Sequence, residues 1–147
     1  QKGLNDTNKS VLVSNGWAPD GIVAVQMEGF SATQKSIQQL QQYAQKGILV
    51  QAHAGYAQNG DDNHCQDITN SLGAFLIGAE KYSYYGCSRG WYIEPDWIVW
   101  HSQYDKPLGA PNGVAVLNGD IYIRSFASGT KVTFNITSNI STISWAN

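Results

Sequence analysis

Residues 21–55 read GIVAVQMEGFSATQKSIQQLQQYAQKGILVQAHAG. The stretch opens and closes with nearly continuous apolar runs, at 22–27 and at 48–53, and an amphipathic segment lies between them. Short apolar runs without polar alternation are typical of parallel strands that are covered on both faces. We therefore expect one strand, helix and strand unit with a right-handed crossover and a parallel sheet.

The amphipathic segment carries recognisable helix boundaries. Ser31 and Gln34 fit a capping box at its start, and Gly47 is suited to end it. Apolar side chains recur between these positions at the spacing of one helix face: Ile37, Leu40 and Ala44. This spacing predicts a helix that buries that face against the sheet.

The same alternation continues on both sides of this unit. Residues 10–14 form a β-branched run before an Asn-Gly turn and predict an earlier strand. Asp67 is suited to cap a second helix that runs to about Lys81, and residues 82–85 predict the next strand. Three later runs, separated by Ser-Gly and Ser-Asn turns, predict an antiparallel ribbon: 121–126, 130–136 and 142–145.

The length of 147 residues suits one domain. We expect an α/β domain with βα units over about residues 10–90, an aromatic loop over residues 91–111 and a β-ribbon over residues 112–147.

The composition excludes several classes of function. The net charge is -2 with no basic run, so the electrostatic signature of a nucleic-acid-binding protein is missing. The longest apolar stretches fall far short of the roughly 18 residues that a membrane-spanning helix requires. No phosphate-binding glycine motif, nucleophile elbow or zinc-protease motif occurs. We therefore expect no nucleic-acid or membrane partner, no metal and no cofactor.

Two features indicate an oxidising, extracellular compartment. Cys65 and Cys87 are the only cysteines and predict a disulfide bond, although two unrelated thiols fit the same count. Four Asn-x-Ser/Thr sequences are candidate N-glycosylation sites: Asn5, Asn8, Asn135 and Asn139. We expect a secreted glycoprotein.

Polar and aromatic residues follow the predicted strands where each one ends. The carboxyl ends of parallel strands meet at one edge of a sheet, where functional side chains gather. This rule selects four residues: Asn15, Trp17, Glu28 and His53. Cys65 and Cys87 lie in the loops that follow the third and fourth predicted strands, so a bond between them would link two loops at that edge.

Glu28 is the carboxylate that we single out as catalytic. It ends an apolar strand and precedes Gly29, so its side chain projects over the sheet edge, as in many glycosidases. In the alternative interpretation, Glu28 stabilises the N-terminal dipole of the following helix. Glycoside hydrolysis usually needs a second carboxylate about 5 to 10 Å away. Five acidic residues in loops on the same edge are candidates, and their spacing selects none of them: Asp61, Asp62, Glu94, Asp96 and Asp105.

His53 is the second catalytic candidate. It is able to orient a sugar hydroxyl or to assist proton transfer, although a single histidine at a strand end is more often structural. Aromatic residues cluster after residue 90, and such rings stack on sugars, pack in protein interfaces or close the end of a sheet. We expect seven substrate-binding residues: Asn15, Trp17, Trp91, Tyr92, Trp97, Trp100 and Asp105.

Several short segments together resemble a known family. They are VQMEGF at 25–30, LVQAHAG at 49–55, LGAFLIGA at 72–79, YSYYG at 82–86, YDKPLG at 104–109 and YIRSF at 122–126. This succession is similar to the C-terminal half of secreted glycoside-hydrolase-like (β/α)8 barrel proteins. The resemblance implies a sugar-directed barrel in which Glu28 matches the acid at a strand end.

The length of the chain suits only part of such a barrel. A complete barrel needs roughly 250 residues, about twice what this sequence offers, so we expect a partial (half) TIM-barrel-like set of βα units. Half a barrel leaves open strand edges and an apolar inner face. A second polypeptide, a homo-oligomer or remodelling into a small open sheet would cover them.

Three functions remain open at this point. The first is an extracellular glycoside-hydrolase-like protein that acts on or binds polysaccharide, with Trp17, Trp91 and Trp97 as stacking platforms. The second is a noncatalytic, self-assembling structural glycoprotein derived from a barrel fold. The third is a carbohydrate-binding module that uses the aromatic residues without Glu28.

Overall fold

The computed structural model of the protein describes residues 24–55, 65–88 and 100–146. The predicted strand at residues 10–14 lies outside these ranges. So do eleven of the residues that we singled out in the sequence: Asn5, Asn8, Asn15, Trp17, Asp61, Asp62, Trp91, Tyr92, Glu94, Asp96 and Trp97.

The amino-terminal part of the described chain alternates strands and helices. The elements are β1 (Ala24–Glu28), α1 (Gln34–Ala44), β2 (Leu49–Ala54), α2 (Thr69–Gly78) and β3 (Ser83–Cys87). The three strands form a parallel sheet in the order β1, β2, β3. The predicted parallel βα units are therefore confirmed over this region.

Helix α1 begins two residues later than a capping box at Ser31 would place it. Thr33 is the N-cap, and its hydroxyl accepts a hydrogen bond from the Ser36 amide at 3.2 Å. The prediction of Ser31 as the cap was wrong because Thr33 is the residue with extended backbone next to the first helical turn. The three predicted core positions, Ile37, Leu40 and Ala44, are buried as expected.

Helix α2 is shorter than predicted and ends at Gly78, whereas the sequence suggested about Lys81. The chain leaves the helix at Ala79, which is extended, and the Glu80 amide then donates to the Ser83 hydroxyl at 3.0 Å. At the other end, the Asp67 carboxylate accepts a hydrogen bond from the Thr69 amide at 2.9 Å. A hydrogen bond from the Thr69 side chain, followed by this bond from its amide, lowers the pKa of Asp67.

A four-stranded antiparallel sheet follows. Its strands are β4 (Val116–Asn118), β5 (Ile121–Ser125), β6 (Lys131–Asn135) and β7 (Ile140–Ser144), paired in chain order. The predicted ribbon is confirmed, but β4 has no counterpart in the prediction. The protein is thus a mixed α/β fold with two separate sheets in its described part.

Helix α2 lies between the two sheets and is buried on nearly every side. Towards the parallel sheet, the ring of Phe75 packs on that of Tyr85 with centroids 5.4 Å apart. Towards the antiparallel sheet, Gly73 is in such close contact with Ser141 that a side chain on Gly73 would collide with it. None of the helices in the described ranges has the length and apolar content needed to span a membrane.

Arg124 on β5 holds the carboxyl end of α2 against the antiparallel sheet. It is 3% exposed, and its guanidinium donates to the backbone carbonyls of Leu76, Ile77 and Ala79. It also forms an ion pair with Glu80 at 2.7 Å. The last turn of a helix has carbonyl groups without partners inside the helix, and Arg124 satisfies them.

Candidate functional site

The carboxyl ends of the three parallel strands meet at one edge of the sheet, as predicted. Glu28 pairs in register with His53, and His53 pairs with Gly86, so the three residues form one row across the sheet. Paired residues of parallel strands point to the same face, which places the two side chains side by side. The structure therefore brings together the two residues that we predicted to be catalytic.

A tight turn holds Glu28 at this edge. Gly29 has a φ of 67°, a conformation that glycine adopts without steric cost. The Phe30 amide then donates to the His53 carbonyl at 2.8 Å, and the Phe30 ring is buried. The chain thus turns back over β2, while the Glu28 side chain stays exposed to solvent.

His53 is only 5% exposed and is held by Ser88. Its Nε2 lies 2.7 Å from the Ser88 hydroxyl oxygen and 3.1 Å from the Ser88 carbonyl oxygen. Because a carbonyl only accepts, a bond to it places a proton on Nε2. Ser88 was not predicted from the sequence, since nothing in the local pattern shows that it reaches back to a strand 35 residues earlier.

Burial lowers the pKa of His53, and this is the largest influence on it. The bond to the Ser88 carbonyl and the nearby Glu28 carboxylate both oppose the shift. With its pKa below the ordinary value, the imidazole is neutral at neutral pH.

This shift predicts a loss of stability in mild acid. Below the unfolded-state pKa of about 6.5, the unfolded chain takes up a proton that folded His53 resists, so the free energy of unfolding falls as the pH drops towards about 5. His53→Asn should flatten this part of the curve, measured as the thermal midpoint against pH. An unchanged pH dependence in the variant would contradict the assignment.

The predicted disulfide bond between Cys65 and Cys87 is confirmed, with a Cα to Cα distance of 5.7 Å. It lies against Gly55, immediately after β2, and a Cβ on Gly55 would collide with the Cys65 sulfur. The bond therefore joins the loops after β2 and β3 at the edge that carries Glu28 and His53. It also fixes Cys87, the residue before Ser88.

Gly55→Ala is expected to destabilise the protein by about 3 kcal/mol, because the added methyl group cannot coexist with the disulfide bond. Gly47→Ala is the matched control. Gly47 also has a positive φ, of 74°, but has open space around it, so strain alone should cost about 1 kcal/mol. Denaturant unfolding and a free-thiol assay measure both effects. Equal losses in the two variants would show that the sulfurs do not constrain Gly55.

Trp100 and Asp105 lie near the end of β3 and bind each other. The Trp100 indole N–H donates to the Asp105 carboxylate at 2.9 Å, and 69% of the indole is exposed. The Trp100 ring packs on Tyr104, which in turn packs on Tyr85 of β3 and hydrogen-bonds to the Cys87 backbone. Trp100 and Asp105 are thus attached to β3 through Tyr85, whose side chain lies on the helix side of the sheet and not in the candidate catalytic row, and Trp100 is open to solvent.

A cavity of about 370 Å³ opens beside Glu28, between the end of β1 and the start of α1. Its lining combines the acidic Glu28 and the basic Lys35 with the hydroxyl and amide residues Ser31, Ser36 and Gln39. Groups of this kind hydrogen-bond to sugar hydroxyls. Within the described ranges no cluster of three or more histidine, cysteine or acidic side chains is placed to hold a metal ion.

The two carboxyl-terminal glycosylation sequences lie at a turn of the antiparallel sheet. Asn135 ends β6, and its side-chain oxygen accepts hydrogen bonds from the amides of Thr137 and Ser138. Asn139 is exposed and has a φ of 56°, in the left-handed region that asparagine tolerates.

The strand-end geometry agrees with the outcome of a comparison with protein families. Residues 8–130 match the model of a family described as hypothetical glycosyl hydrolase family 15. A search of curated proteins found no match. The matched segment contains β1 to β5, and with them Glu28, His53, Ser88 and the disulfide bond. The chain belongs to hypothetical glycosyl hydrolase family 15.

Proposed function

We propose that the protein is an extracellular glycoside hydrolase that cleaves a polysaccharide, with Glu28 as its general acid/base or nucleophile. The observation that carries the proposal is the row formed by Glu28 and His53 at the carboxyl edge of the parallel sheet, in a member of a glycosyl hydrolase family. Among the residues of the three parallel strands, Glu28 is the only carboxylate.

His53 assists this carboxylate. Held by Ser88 through Nε2, the neutral imidazole lies in register beside Glu28 and adds no charge where Glu28 transfers its proton. An uncharged imidazole next to Glu28 leaves the carboxyl free to exchange a proton with the substrate.

The second carboxylate comes from outside the parallel strands in this proposal. Asp105 is engaged by the Trp100 indole, and the other acidic loop residues that the sequence suggested, Asp61, Asp62, Glu94 and Asp96, lie outside the described ranges. A loop after β2 or β3, or a second polypeptide, would supply the acid about 5 to 10 Å from Glu28.

The three parallel strands and the two helices between them form part of a (β/α)8 barrel in this proposal. All three strands run in one direction, with both described helices on one face, which is the arrangement of successive units in such a barrel. A second polypeptide or a second copy of the chain would complete the sheet. Secretion is supported by the disulfide bond, and we propose that the four Asn-x-Ser/Thr sequences carry glycans.

A noncatalytic, self-assembling structural glycoprotein is the second candidate. It is favoured by large aliphatic side chains that are exposed on the antiparallel sheet and just before β4: Val114, Val116, Leu117, Ile121 and Ile140. Exposed apolar patches commonly mark interfaces between chains. A strictly monomeric species by light scattering would contradict this function.

The test of the enzymatic function is release of reducing sugars from a panel of plant, fungal and bacterial polysaccharides. Turnover by the wild type that disappears in Glu28→Gln supports it. Turnover that the variant retains would reject Glu28 as the catalytic acid, and no turnover of any polysaccharide would favour the structural alternative.

A further inference from the structure

The two faces of the parallel sheet differ in chemistry. Val25, Val50 and Tyr85 point to the side of α1 and α2, where they are buried or pack on Phe75. Strands alternate their side chains, so the opposite face carries the residues in between. It presents two rows across the sheet, Gln26, Gln51 and Tyr84 in one and Glu28, His53 and Gly86 in the next.

This open face is more polar than the sequence led us to expect. In place of an apolar inner face, its central rows offer two amides, a carboxylate, an imidazole and a phenol. Gln51 is exposed, and Tyr84 is 55% exposed. No lysine or arginine belongs to the described strands β1 to β3, so the only formal charge on the face is that of Glu28.

Gly86 leaves an empty position on this face. A Cβ built on it would meet no atom of the described residues within 4 Å. Three neighbours of Gly86 carry side chains: His53 beside it on β2, Tyr84 two residues earlier and Ser88 two residues later. We call this open position, next to the proposed catalytic row, the recess.

We propose that this recess binds one uncharged sugar residue of the glycan that Glu28 cleaves. Tyr84 stacks against the apolar face of the sugar, Gln51 binds its hydroxyls, and Gly86 provides the room that a side chain would fill. Glu28 carries the only formal charge on the described strands β1 to β3 and disfavours an anionic sugar here, while Lys35 belongs to the cavity at the start of α1. This inference rests on the proposed function, because the recess is identified by its place beside the row that contains Glu28.

The first experiment measures binding of cellohexaose, xylohexaose, maltohexaose and chitohexaose to the Glu28→Gln protein by calorimetry. Tyr84→Ala in that background should weaken binding about tenfold, as expected for loss of a stacked ring, while Tyr84→Phe should bind like the parent. Tyr82→Ala is the matched control. Tyr82 is 45% exposed and precedes β3, about 13 Å along the strand from Gly86.

The second experiment fills the recess. Gly86 lacks a positive φ, so Gly86→Val suits the strand and should fold with an unchanged thermal midpoint, yet it should weaken hexasaccharide binding at least tenfold. Unchanged affinity in Gly86→Val and Tyr84→Ala would overturn the inference. So would a change of oligomeric state in Tyr84→Ala without loss of binding, which would assign the face to a second copy. Absence of binding by all four hexasaccharides would overturn it as well.

The two proposals fail separately. If Glu28→Gln abolishes turnover while the Tyr84 and Gly86 variants keep the wild-type KM, the enzymatic function stands and the recess is not a sugar site. In the other case, the wild type shows no turnover but binds a hexasaccharide, and Tyr84→Ala loses this binding. The recess then stands as a binding site and the enzymatic function fails.

Discussion

Glu28→Gln is expected to lower polysaccharide hydrolysis by roughly a thousandfold, within the 10² to 10⁴ range that positioned acid–base groups contribute. The amide keeps the shape of the carboxylate but neither gives up nor accepts the proton that cleavage requires. Because the Glu28 side chain is exposed, the variant should unfold at the wild-type midpoint. Initial rates of reducing-sugar release and thermal unfolding provide the two measurements.

Asp120→Asn is the charge-matched control for this variant. Asp120 is exposed in the turn between β4 and β5, where its carboxylate accepts a hydrogen bond from the Thr137 hydroxyl at 3.0 Å. It lies on the antiparallel sheet, so its replacement should leave the hydrolysis rate unchanged. Equal rate losses in both variants would mean that net charge, and not proton transfer by Glu28, governs activity.

Arg124→Met is expected to lower the free energy of unfolding by about 3 kcal/mol. The methionine fills the space of the side-chain stem but leaves the carbonyls of the last α2 turn without donors, and it leaves Glu80 without its cation. A buried carbonyl that loses its donor is still removed from water but no longer has a hydrogen bond to compensate, which destabilises the folded state. Because Glu80 is 28% exposed, water can solvate part of its charge. The expected loss of unfolding free energy is therefore near the lower end of the range for buried ion pairs that lose one partner.

Lys131→Met tests whether this effect comes from the position of the charge. Lys131 starts β6, pairs in register with Ser125 of the neighbouring strand and is exposed. Its replacement removes the same formal charge from the same sheet and should change the unfolding free energy by less than about 0.5 kcal/mol. Denaturant titrations of the two variants make the comparison, and similar losses in both would contradict the role given to Arg124.

Hydrophobic periodicity was sufficient to predict the strands and helices near Glu28. A strand that is covered on both faces leaves an apolar run in the sequence, and a helix that is buried on one face leaves apolar residues three or four positions apart. The same pattern sets strand polarity, and polarity alone predicted that Glu28, His53 and the cysteines share one edge of the sheet. Boundaries were less accurate. Thr33 and Ser31 offer the same hydroxyl chemistry for capping α1, and only the backbone conformation distinguishes them.

The amino-acid pattern by itself determined the parallel βα order, the antiparallel ribbon and the strand ends that carry the two residues of the candidate catalytic row, whereas for the cysteines it left two free thiols open. Only the tertiary structure decided what surrounds them: Ser88 on His53, the sulfurs on Gly55, Arg124 on the end of α2, and the recess at Gly86 beside Tyr84. The physical reason is the range of the interactions. Periodicity reports whether a side chain is buried, whereas the identity of its neighbour depends on how elements distant in the chain pack together, as for Arg124 and Glu80, which are 44 residues apart.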